Sequence, residues 1–463
     1  MPNLINREEI NRLVDKYGTA IPRYTSYPTA PEWKDEFSQE KFEAAIKKSN
    51  ATGEELSLYL HIPFCESQCY FCACNVVISP KHGIENQYLE QLFDEIRYYG
   101  KLFSKDRRVA QMAWGGGTPT YLTPDQIRQL YQVIEESFSL YPKAADENTD
   151  PSYEYAIEID PRVTSIDHLQ ALYDCGFNRL SMGIQDFNNT TQIAINRVQS
   201  KEEVQKLTQA AREIGFKSIN YDLIYGLPFQ TMQSFSETVE IMKELDPDRI
   251  ALFNYAHLPS MIPHQKKYII DETLPDKKTK LEIFDYAVEE FTKQGYEFIG
   301  IDHFSKKTDS LVKALKNKSL YRNFQGYTTF AGCDMISFGI TGISDIQGVY
   351  KQNIKKLNDY YEDFKQAEKT KFSNSDDIER RGIIRELMCN NYVALDSNQY
   401  IEEICLLEEF AKDGILNIKL NDDPSLIDIE ITDIGRFFVR NVASIFDTYI
   451  KKDSGFKAFS QAL

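Results

Sequence analysis

The stretch Leu58-Tyr-Leu-His-Ile-Pro-Phe-Cys-Glu-Ser-Gln-Cys-Tyr-Phe-Cys-Ala-Cys74 decides the fold, because it gathers four of the chain's eight cysteines in one loop. Three of them, Cys65, Cys69 and Cys72, have the spacing C-x3-C-x2-C. A [4Fe–4S] cluster is usually held by four cysteine thiolates. Three ligands leave one iron with an open coordination position, at which a reactant can bind. We therefore predict a catalytic [4Fe–4S] cluster on Cys65, Cys69 and Cys72.

Other cysteine sites suit this loop less well. A structural zinc site usually has four ligands in two separated pairs, and the sequence has no second Cys/His pair at that spacing. Cys69-x-x-Cys72 alone would suit a redox pair, but Cys65 and Cys74 lie beside it. A disulfide framework needs an oxidising compartment. Cys74 could be a fourth ligand, but we expect an open site, because a closed cluster would only transfer electrons.

Composition bounds the class of protein. The 463 residues are 42% hydrophobic and 13% aromatic, which allows a large core and, by length, two or three domains. The chain has no apolar run long enough for a transmembrane helix, and its charged N-terminus lacks the apolar core of a signal peptide. With half the cysteines in one loop, these features predict a cytoplasmic protein. The net charge of −17 argues against nucleic acid, which needs a basic face.

Strand-like runs alternate with amphipathic helical runs as far as about residue 300. We expect strands at Leu56–His61, Val109–Trp114, Tyr155–Asp160, Arg179–Ile184, Ser218–Ile224 and Arg249–Tyr255, and a seventh at Tyr296–Asp302. We expect helices near 84–102, 124–139, 165–175, 201–215, 231–245 and 277–294. One of them begins at Thr123-Pro-Asp-Gln126, a capping box with Pro at the first helical position. Six βα units predict an α/β fold with a partial, parallel (β/α)6-type barrel.

The unusual polar and glycine motifs all follow the C-terminal ends of these strands. The cysteine loop follows the first strand, and Gly115-Gly-Gly-Thr-Pro119 follows the second. The other four strand ends carry Glu158 with Asp160, Gln185 with Asp186, Asp222 with Gly226, and Ala256 with His257. Ligands bind at this edge in parallel α/β folds. The pattern therefore predicts one binding site built from six strand ends.

The pattern changes after about residue 350. Helical runs near 376–392 and 398–412 lead to two short strands, Ile415–Leu420 and Ile427–Ile431, and to a last helix over Asp433–Lys451. We expect a smaller, mostly helical, winged-helix-like domain, whose acidic turn argues against DNA binding. The predicted division is an N-terminal segment packed on the barrel mouth (1–50), the barrel (51–350) and this C-terminal domain (351–463).

Segments over nearly the whole chain resemble the oxygen-independent coproporphyrinogen III oxidases of the radical S-adenosylmethionine (radical SAM) superfamily. The cysteine loop resembles the superfamily in general. The resemblance to the oxidases themselves rests on Pro22-Arg-Tyr-Thr-Ser-Tyr-Pro-Thr29, Cys74 and Arg322-Asn-Phe-Gln-Gly-Tyr-Thr-Thr329. Further similar segments are Trp114-Gly-Gly-Gly-Thr-Pro-Thr120, Glu158-Ile-Asp-Pro161, Asn178-Arg-Leu-Ser-Met-Gly-Ile-Gln-Asp-Phe187, Asp222-Leu-Ile-Tyr-Gly-Leu-Pro228, Phe253-Asn-Tyr-Ala-His-Leu-Pro259 and Phe446-Asp-Thr-Tyr449.

This resemblance implies an activity and its cofactors. The family decarboxylates two propionates of coproporphyrinogen III oxidatively to vinyl groups, which gives protoporphyrinogen IX in anaerobic heme biosynthesis. The implied cofactors are a [4Fe–4S] cluster and two S-adenosylmethionine (SAM) molecules per turnover. The implied partners are the tetrapyrrole substrate and an unidentified electron donor. We expect a monomer that binds neither nucleic acid nor membrane.

The resemblance also implies the SAM contacts. The first SAM would contact Tyr59, Gly116, Glu158 and Ile343, and the second Phe71, Gly117, Thr118, Gln185, Arg197, Asp222 and Ala256. Glycines let ligands approach the backbone closely, although tight turns also use them. The two carboxylates could equally be caps or salt-bridge partners. Because side chains alternate along a strand, Tyr59 and His61 point the same way. Both are candidate catalytic residues, with His61 either moving protons or acting as a hydrogen-bonding support.

The substrate's four propionates need cations or several donors when they leave water. Arginine suits carboxylates, and Arg23 and Arg322 are our candidates; structural ion pairing is the alternative for both. We expect residues 1–30 to close over the barrel mouth and help hold propionates. Phe330-Ala-Gly-Cys-Asp334 departs from the family pattern in having Phe and Cys where polar residues are expected. We do not expect Cys333 to be a cluster ligand.

Three other functions compete. Heme-trafficking relatives keep the cysteine loop but carry a His-Asn-x-x-Tyr-Trp motif, whereas tryptophan occurs here only at positions 33 and 114. Relatives that transfer methyl groups or form cyclopropanes would share the site and change the substrate. A non-catalytic iron–sulfur sensor would not need Glu158, Gln185, Arg197 and Asp222 together.

Overall fold

A computed structural model describes residues 7–142 and 152–450. The strands are β1 (Leu56–Ile62), β2 (Phe64–Cys65), β3 (Val77–Ile78), β4 (Arg108–Gly116), β5 (Ser139–Leu140), β6 (Glu154–Ile159), β7 (Arg179–Gln185), β8 (Ser218–Tyr225), β9 (Arg249–Asn254), β10 (Tyr296–Gly300), β11 (His303–Lys306), β12 (Tyr321–Asn323), β13 (Gly326–Thr328), β14 (Asp334–Phe338), β15 (Ile343–Ile346), β16 (Val349–Asn353), β17 (Ala367–Phe372), β18 (Tyr392–Asp396), β19 (Leu416–Leu420) and β20 (Leu426–Ile431).

The α-helices are α1 (Arg7–Tyr17), α2 (Gln39–Ser49), α3 (Ile84–Gly100), α4 (Pro124–Ser137), α5 (Ile166–Asp174), α6 (Asn189–Ala194), α7 (Lys201–Ile214), α8 (Met232–Leu245), α9 (Pro263–Tyr268), α10 (Lys277–Lys293), α11 (Ser310–Lys316), α12 (Leu357–Glu362), α13 (Ser375–Asn390), α14 (Ile401–Lys412) and α15 (Val439–Ser444). Short 3₁₀ helices lie at Ala30–Glu32, Pro119–Tyr121, Asp271–Thr273 and Gly435–Phe437. None of the helices in the described ranges is long and apolar enough to cross a membrane.

The centre of the molecule is a row of six parallel strands, in the order β9-β8-β7-β6-β4-β1. They are the six strands predicted from the sequence, and they confirm the partial parallel barrel. Alternation sorts the side chains of β1: Leu58, Leu60 and Ile62 are fully buried in the main core, whereas Tyr59 and His61 face a cavity inside the barrel. The predicted capping box of α4 is also present at Thr123 and Gln126.

The sheet stays open because further strands extend both of its edges. Beyond β1 come the parallel strand β14 and the antiparallel strands β15, β16 and β17. At the other edge, β9 pairs with antiparallel β11, which pairs with β10. The predicted seventh strand is thus β10, but it begins a hairpin and not another βα repeat. Only Ile301 and Asp302 separate β10 from β11, too few residues for a parallel crossover.

The N-terminal segment joins the C-terminal part of the chain to the barrel. On α1, Tyr17 stacks on Phe410 with ring centroids 4.6 Å apart. Farther along, Tyr27 hydrogen-bonds to Thr448 (3.2 Å), and α2 adds Phe42 to the main core. The central sheet itself continues through β17, past residue 350.

The C-terminal part contains α13, α14, α15 and a small sheet in the order β18-β20-β19. The predicted hairpin is present as β19 and β20, and β18 adds a strand that the sequence patterns missed. The prediction of one long last helix was wrong for the described residues, which form a 3₁₀ turn and the short α15. Close packing requires glycine at this turn, since a Cβ on Gly435 would lie 1.8 Å from the carbonyl oxygen of Ile415. Lys451 lies outside the described residues.

Candidate active site

Two adjoining cavities occupy the barrel and its C-terminal edge. The larger, of about 440 Å³, lies inside the barrel, and we call it the lumen cavity. The smaller, of about 170 Å³, lies under the cysteine loop, and we call it the loop cavity. Glu158, Ser181 and Asp222 line both. These residues therefore form the boundary between the cysteine loop and the barrel interior.

Cys65, Cys69 and Cys72 line the loop cavity together. The Cys65 sulfur lies 3.4 Å from Thr118 Oγ1, and the Cys72 sulfur accepts from the backbone N–H of Cys74 (3.4 Å). A hydrogen bond from the Cys74 thiol lowers the pKa of Cys72 to about 7, against the opposing effect of burial. Burial raises the pKa of Cys65 to about 11. Cys74 lines the same cavity, so its place alone does not decide whether it ligates.

Two arginines bring positive charge to the loop cavity. Arg162 and Arg197 each place a guanidinium nitrogen 3.6 Å from the Cys69 sulfur. Asp160 holds both, with contacts of 2.6 Å to Arg162 and 3.0 Å to Arg197. The second nitrogen of Arg197 also donates to the carbonyl of Gly183 (2.6 Å). Sequence reasoning selected Arg197 but missed Arg162, although its position two residues after a strand-end aspartate was a usable signal.

The glycine triplet after β4 is required by its neighbours. A Cβ on Gly116, whose φ is +110°, would lie 2.5 Å from the His61 ring. On Gly117 it would meet the backbone of Pro63 at 2.6 Å, and on Gly115 the carboxylate of Glu158 at 2.8 Å. The triplet therefore lets the β4 backbone lie directly against the side chains that face the site.

His61 has hydrogen-bonding contacts at both ring nitrogens. Nδ1 lies 3.3 Å from the hydroxyl of Tyr59, and Nε2 lies 3.1 Å from the carbonyl oxygen of Asn75. Burial lowers the pKa of His61 to about 4, so the imidazole is neutral at pH 7. Of the two roles considered from sequence, this environment favours the hydrogen-bonding support. Desolvation also raises the pKa of Tyr59, which therefore keeps its proton.

Glu158 and Asp222 face the site without a cationic partner among the described ion pairs. Asp222 accepts from Asn220 (2.8 Å) and Ser181 (3.0 Å), and burial raises its pKa. Glu158 accepts from the backbone N–H of Gly116 (3.3 Å). Desolvation and the nearby Asp222 raise the pKa of Glu158 to about 7, although this side chain remains accessible from the cavities. Both carboxylates keep acceptor capacity for a cationic or hydroxylated ligand.

A buried network holds the loop that carries Ile343, and sequence reasoning missed it. Glu95 of α3 is fully buried and accepts from the backbone N–H of Gly339 (2.7 Å), from Asn353 (2.9 Å) and from Tyr360 (2.8 Å). Asn353 also donates to the carbonyl of Gly339 (2.9 Å). The loop between β14 and β15 brings Thr341 and Ile343 to the lumen cavity. The available signal was a glutamate in helical register with the apolar residues Leu92 and Tyr99 of α3.

The structure brings most of the predicted site residues together. The loop cavity is lined by Cys65, Cys69, Phe71, Cys72, Gly116, Gly117, Thr118, Glu158, Gln185, Arg197 and Asp222. The lumen cavity is lined by Tyr59, His61, Glu158, Asp222 and Ile343. Three predicted residues, Ala256, Arg23 and Arg322, line neither cavity. Cys333 has Glu54 and Glu55 as neighbours before the start of β1, at the opposite end of that strand from the cysteine loop.

The residues fit a multi-iron cluster and a bound nucleoside. In the described ranges, no three His, Cys, Asp or Glu side chains converge on one metal ion. The three thiols instead surround a cavity, as a cluster of several irons requires. Arg162 and Arg197 can offset the negative charge of thiolates, and the side-chain-free Gly116 and Gly117 open a cradle beside them. We conclude that Cys65, Cys69 and Cys72 are suited to hold the cluster, with the adjoining residues left to contact SAM.

Comparison with known proteins agrees with this geometry. Residues 59–242 match the model of the radical SAM superfamily. The oxygen-independent coproporphyrinogen III oxidase of Escherichia coli K12 is 40% identical over 97% of this chain and 98% of its own length. The corresponding enzyme of Synechocystis is also 40% identical, over 97% of each chain.

A solved structure extends the likeness to the fold. The structure of Escherichia coli coproporphyrinogen III oxidase, described as a radical SAM enzyme, superposes with a TM-score of 0.85. It is 41% identical and covers 92% of this chain and 97% of the other. A [4Fe–4S] cluster and SAM are the cofactors of this superfamily, and the residues described above suit both. The chain therefore belongs to the oxygen-independent coproporphyrinogen III oxidases, within the radical SAM superfamily.

Proposed function

We propose that this protein converts coproporphyrinogen III to protoporphyrinogen IX by oxidative decarboxylation of two propionates to vinyl groups, in anaerobic heme biosynthesis. One observation carries the proposal. Three thiols line a cavity that adjoins a larger one, and the two carboxylates between the cavities have no cation partner within the described part of the chain. The loop cavity would hold the cluster and SAM. The lumen cavity lies next to it and would receive the part of the substrate that reacts.

The chain's own residues prepare the site. When bound, the cluster and SAM would supply radical chemistry that removes a hydrogen atom from the substrate. Cys65, Cys69 and Cys72 would be the ligands, and Glu158 and Asp222 would accept hydrogen bonds from the ribose hydroxyls or the ammonium of SAM. Neutral His61 would hold Tyr59 in place against the first SAM. Phe71, between two of the ligand cysteines, would keep water from the cluster.

The SAM contacts are proposed as two sets, on the residue-by-residue likeness to the family and the cavities described above. Tyr59, Gly116, Glu158 and Ile343 would contact the first SAM, and Phe71, Gly117, Thr118, Gln185, Arg197, Asp222 and Ala256 the second. Ala256 lines neither cavity, but its carbonyl accepts from Gln265, which also donates to the carbonyl of Phe71. Through Gln265, Ala256 is therefore linked to Phe71, which lines the loop cavity.

The propionates need cations, and Arg23 and Arg322 are proposed to supply them. Neither lines a cavity, but each lies against an aromatic ring that does. The guanidinium of Arg23 is 5.7 Å from the ring centre of Phe253, and that of Arg322 is 4.7 Å from Tyr327. Since Arg23 belongs to the N-terminal segment, this placement supports our expectation that residues 1–30 help hold propionates.

The cellular setting is also a proposal. None of the eight cysteines, all of which lie in the described residues, forms a disulfide bond, which suits the reducing cytoplasm. The reaction needs a one-electron donor, which we expect to be a separate protein. We expect a monomer, and size-exclusion chromatography with light scattering would test it.

The function is tested by an anaerobic assay. The cluster is reconstituted and reduced, SAM and coproporphyrinogen III are added, and 5′-deoxyadenosine and protoporphyrin are both followed. We expect both products to form together. Release of 5′-deoxyadenosine without any vinyl product would contradict the proposed substrate while leaving the radical chemistry in place.

A further inference from the structure

The lumen cavity has a negative wall, which raises the question of what attracts a propionate to it. Its lining includes the carboxylates Glu154, Glu158 and Asp222. The lining arginine, Arg179, is already paired with Glu154 at 2.9 Å. A carboxylate that leaves water needs a cation or several donors to compensate it. Some other group at this cavity must therefore meet the substrate's negative charge.

His303, the first residue of β11, lies at one end of this wall and lines the lumen cavity. Its Nδ1 is 2.7 Å from Oδ1 of Asp302, close enough for an ion pair but not aligned as a hydrogen bond, and the side chain of Asp302 is 5% exposed. The other carboxylate oxygen of Asp302 accepts from Arg23 of the N-terminal segment. Asp302 thus lies between the guanidinium of Arg23 and the imidazole of His303.

The surroundings add to this positive charge. Arg322 is 7% exposed, and its Nε and Nη1 make no hydrogen bond within the described residues. Arg440 is also buried and donates to the backbone carbonyls of Ile21 and Pro22. Burial, together with the nearby positive charge of Arg23, lowers the pKa of Arg440 to about 9. An anion placed here would relieve the excess of positive charge.

We propose that His303, held by Asp302, is a carboxylate-binding residue that receives one propionate of the tetrapyrrole at the end of the lumen cavity. This inference rests on the proposed function. In the complex, the imidazole would keep Nδ1 against Asp302 and donate from Nε2 to the propionate. The charged groups that face it are Asp302, Asp222 and, across Asp302, Arg23.

Two aromatic rings fix the plane of the imidazole. Phe253 lies perpendicular to it at a centroid distance of 5.9 Å, and Tyr327 meets it edge-on at 5.4 Å. Both rings also line the lumen cavity. The imidazole is therefore pre-oriented, so that little ordering is needed when a carboxylate arrives. The same rings would pack against the pyrroles that carry the propionates.

The test measures binding of coproporphyrin III, a stable tetracarboxylate, to the reconstituted protein by spectrophotometric titration under anaerobic conditions. For His303→Gln we expect the Kd to rise about tenfold or more, because a charge-assisted hydrogen bond is lost. His303→Arg presents hydrogen-bond donors for a carboxylate at this end of the cavity and should bind within a few-fold of the parent protein. The tetramethyl ester of coproporphyrin III, which has no carboxylate, should bind weakly and equally to all three.

His168→Gln is the matched control. His168 caps the start of α5, a position that glutamine also suits, and we expect the Kd of the parent protein. Coproporphyrin III binding by His303→Gln that equals the parent would overturn the inference, as would equal losses in His303→Gln and His303→Arg when both keep normal SAM binding. If the parent protein forms no protoporphyrinogen in the anaerobic assay and binds no coproporphyrin III, the proposed function itself is contradicted. That outcome is distinguishable from a failure of the His303 proposal, in which the parent protein is active.

Discussion

Glu154 and Glu158 both lie on strand β6 and face the interior of the barrel. Their environments are nevertheless opposite. Glu154, at the N-terminal end, pairs with Arg179 (2.9 Å) and Arg249 (3.3 Å). Burial opposes its charge, but the two arginines hold its pKa below the usual range. Glu158, at the C-terminal end, has no such partner among the described residues, and its pKa is raised to about 7.

The difference shows which end of the barrel is structural and which is left open for chemistry. At the N-terminal end, Arg249 also pairs with Asp309 (2.8 Å), so two carboxylates and two guanidiniums balance one another. At the C-terminal end, Glu158 and Asp222 approach each other without a cation. Unpaired carboxylates with raised pKa values are typical of functional sites. Paired ones stabilise the fold without being available to a ligand.

The largest expected effect distinguishes the cysteines at the two ends of the barrel. Cys69→Ser should abolish both iron binding and turnover, because serine oxygen is a poor ligand for this iron site. Cys333→Ser, at the N-terminal end, should keep normal iron content and activity, and Cys74→Ser should keep the cluster. Iron analysis and the visible spectrum measure the outcome. Cluster loss in Cys74→Ser equal to that in Cys69→Ser would make Cys74 a ligand.

The two glutamates should respond to the same substitution in different ways. Glu158→Gln should lower kcat/KM by about 10- to 100-fold, since a charged hydrogen bond to SAM is lost, and should leave thermal stability nearly unchanged. Glu154→Gln should cost about 3 kcal/mol of folding stability, because Arg179 is left buried without its partner. Denaturant titration and steady-state kinetics on both variants would separate the effects. A loss of folding stability in Glu158→Gln together with a loss of kcat/KM in Glu154→Gln would contradict this comparison.

The pH dependence of SAM binding should identify Glu158. Because its pKa is raised to about 7, the carboxylate ionises as the pH rises through that value. The ionised form attracts the cationic ligand, so affinity should increase by up to about tenfold between pH 6 and pH 8. In Glu158→Gln this increase should be absent. A variant with the same pH profile as the parent protein would assign the titration to another group.

The smallest expected effect concerns the buried support of the site. Glu95→Gln keeps the shape of the side chain but cannot accept from Gly339, Asn353 and Tyr360 together. We expect the KM for SAM to rise several-fold while kcat changes little, because the loop that carries Ile343 is loosened. Tyr360→Phe removes one of these hydrogen bonds, and its KM for SAM should lie between that of the parent protein and that of Glu95→Gln. An unchanged KM in Glu95→Gln would limit the network to a structural role.

The six barrel strands and the cluster loop could be predicted because their signals are local. Strand alternation, strand-end motifs and cysteine spacing are all visible within short segments. The added strands β11 and β14 to β18 were not predicted. β14 joins the sheet by pairing with the distant β1, and β11 by pairing with β9, whereas β15, β16 and β17 follow β14 as short antiparallel neighbours. The tight turn at Ile301 and Asp302, which converts a presumed barrel repeat into a hairpin, has no strong sequence signal.

The residues of the candidate site were predicted or missed for the same reason. Cys65, Glu158 and Asp222 could be placed at one edge because each follows a strand. The contacts of Arg162 with Cys69 and of Glu95 with Gly339 could not, because their partners are distant in sequence. The same applies to the chain of contacts from Arg23 through Asp302 to His303. Burial and charge pairing, which decide whether a carboxylate is structural or free, appear only in the folded protein.

The most direct test of the account is the ratio of 5′-deoxyadenosine released to protoporphyrinogen IX formed by the parent protein under anaerobic conditions. Each propionate that becomes a vinyl group consumes one SAM, so the account predicts a ratio of two. The single-vinyl intermediate should accumulate early and then disappear. A ratio of one, or a final product that retains all four propionates, would contradict the account.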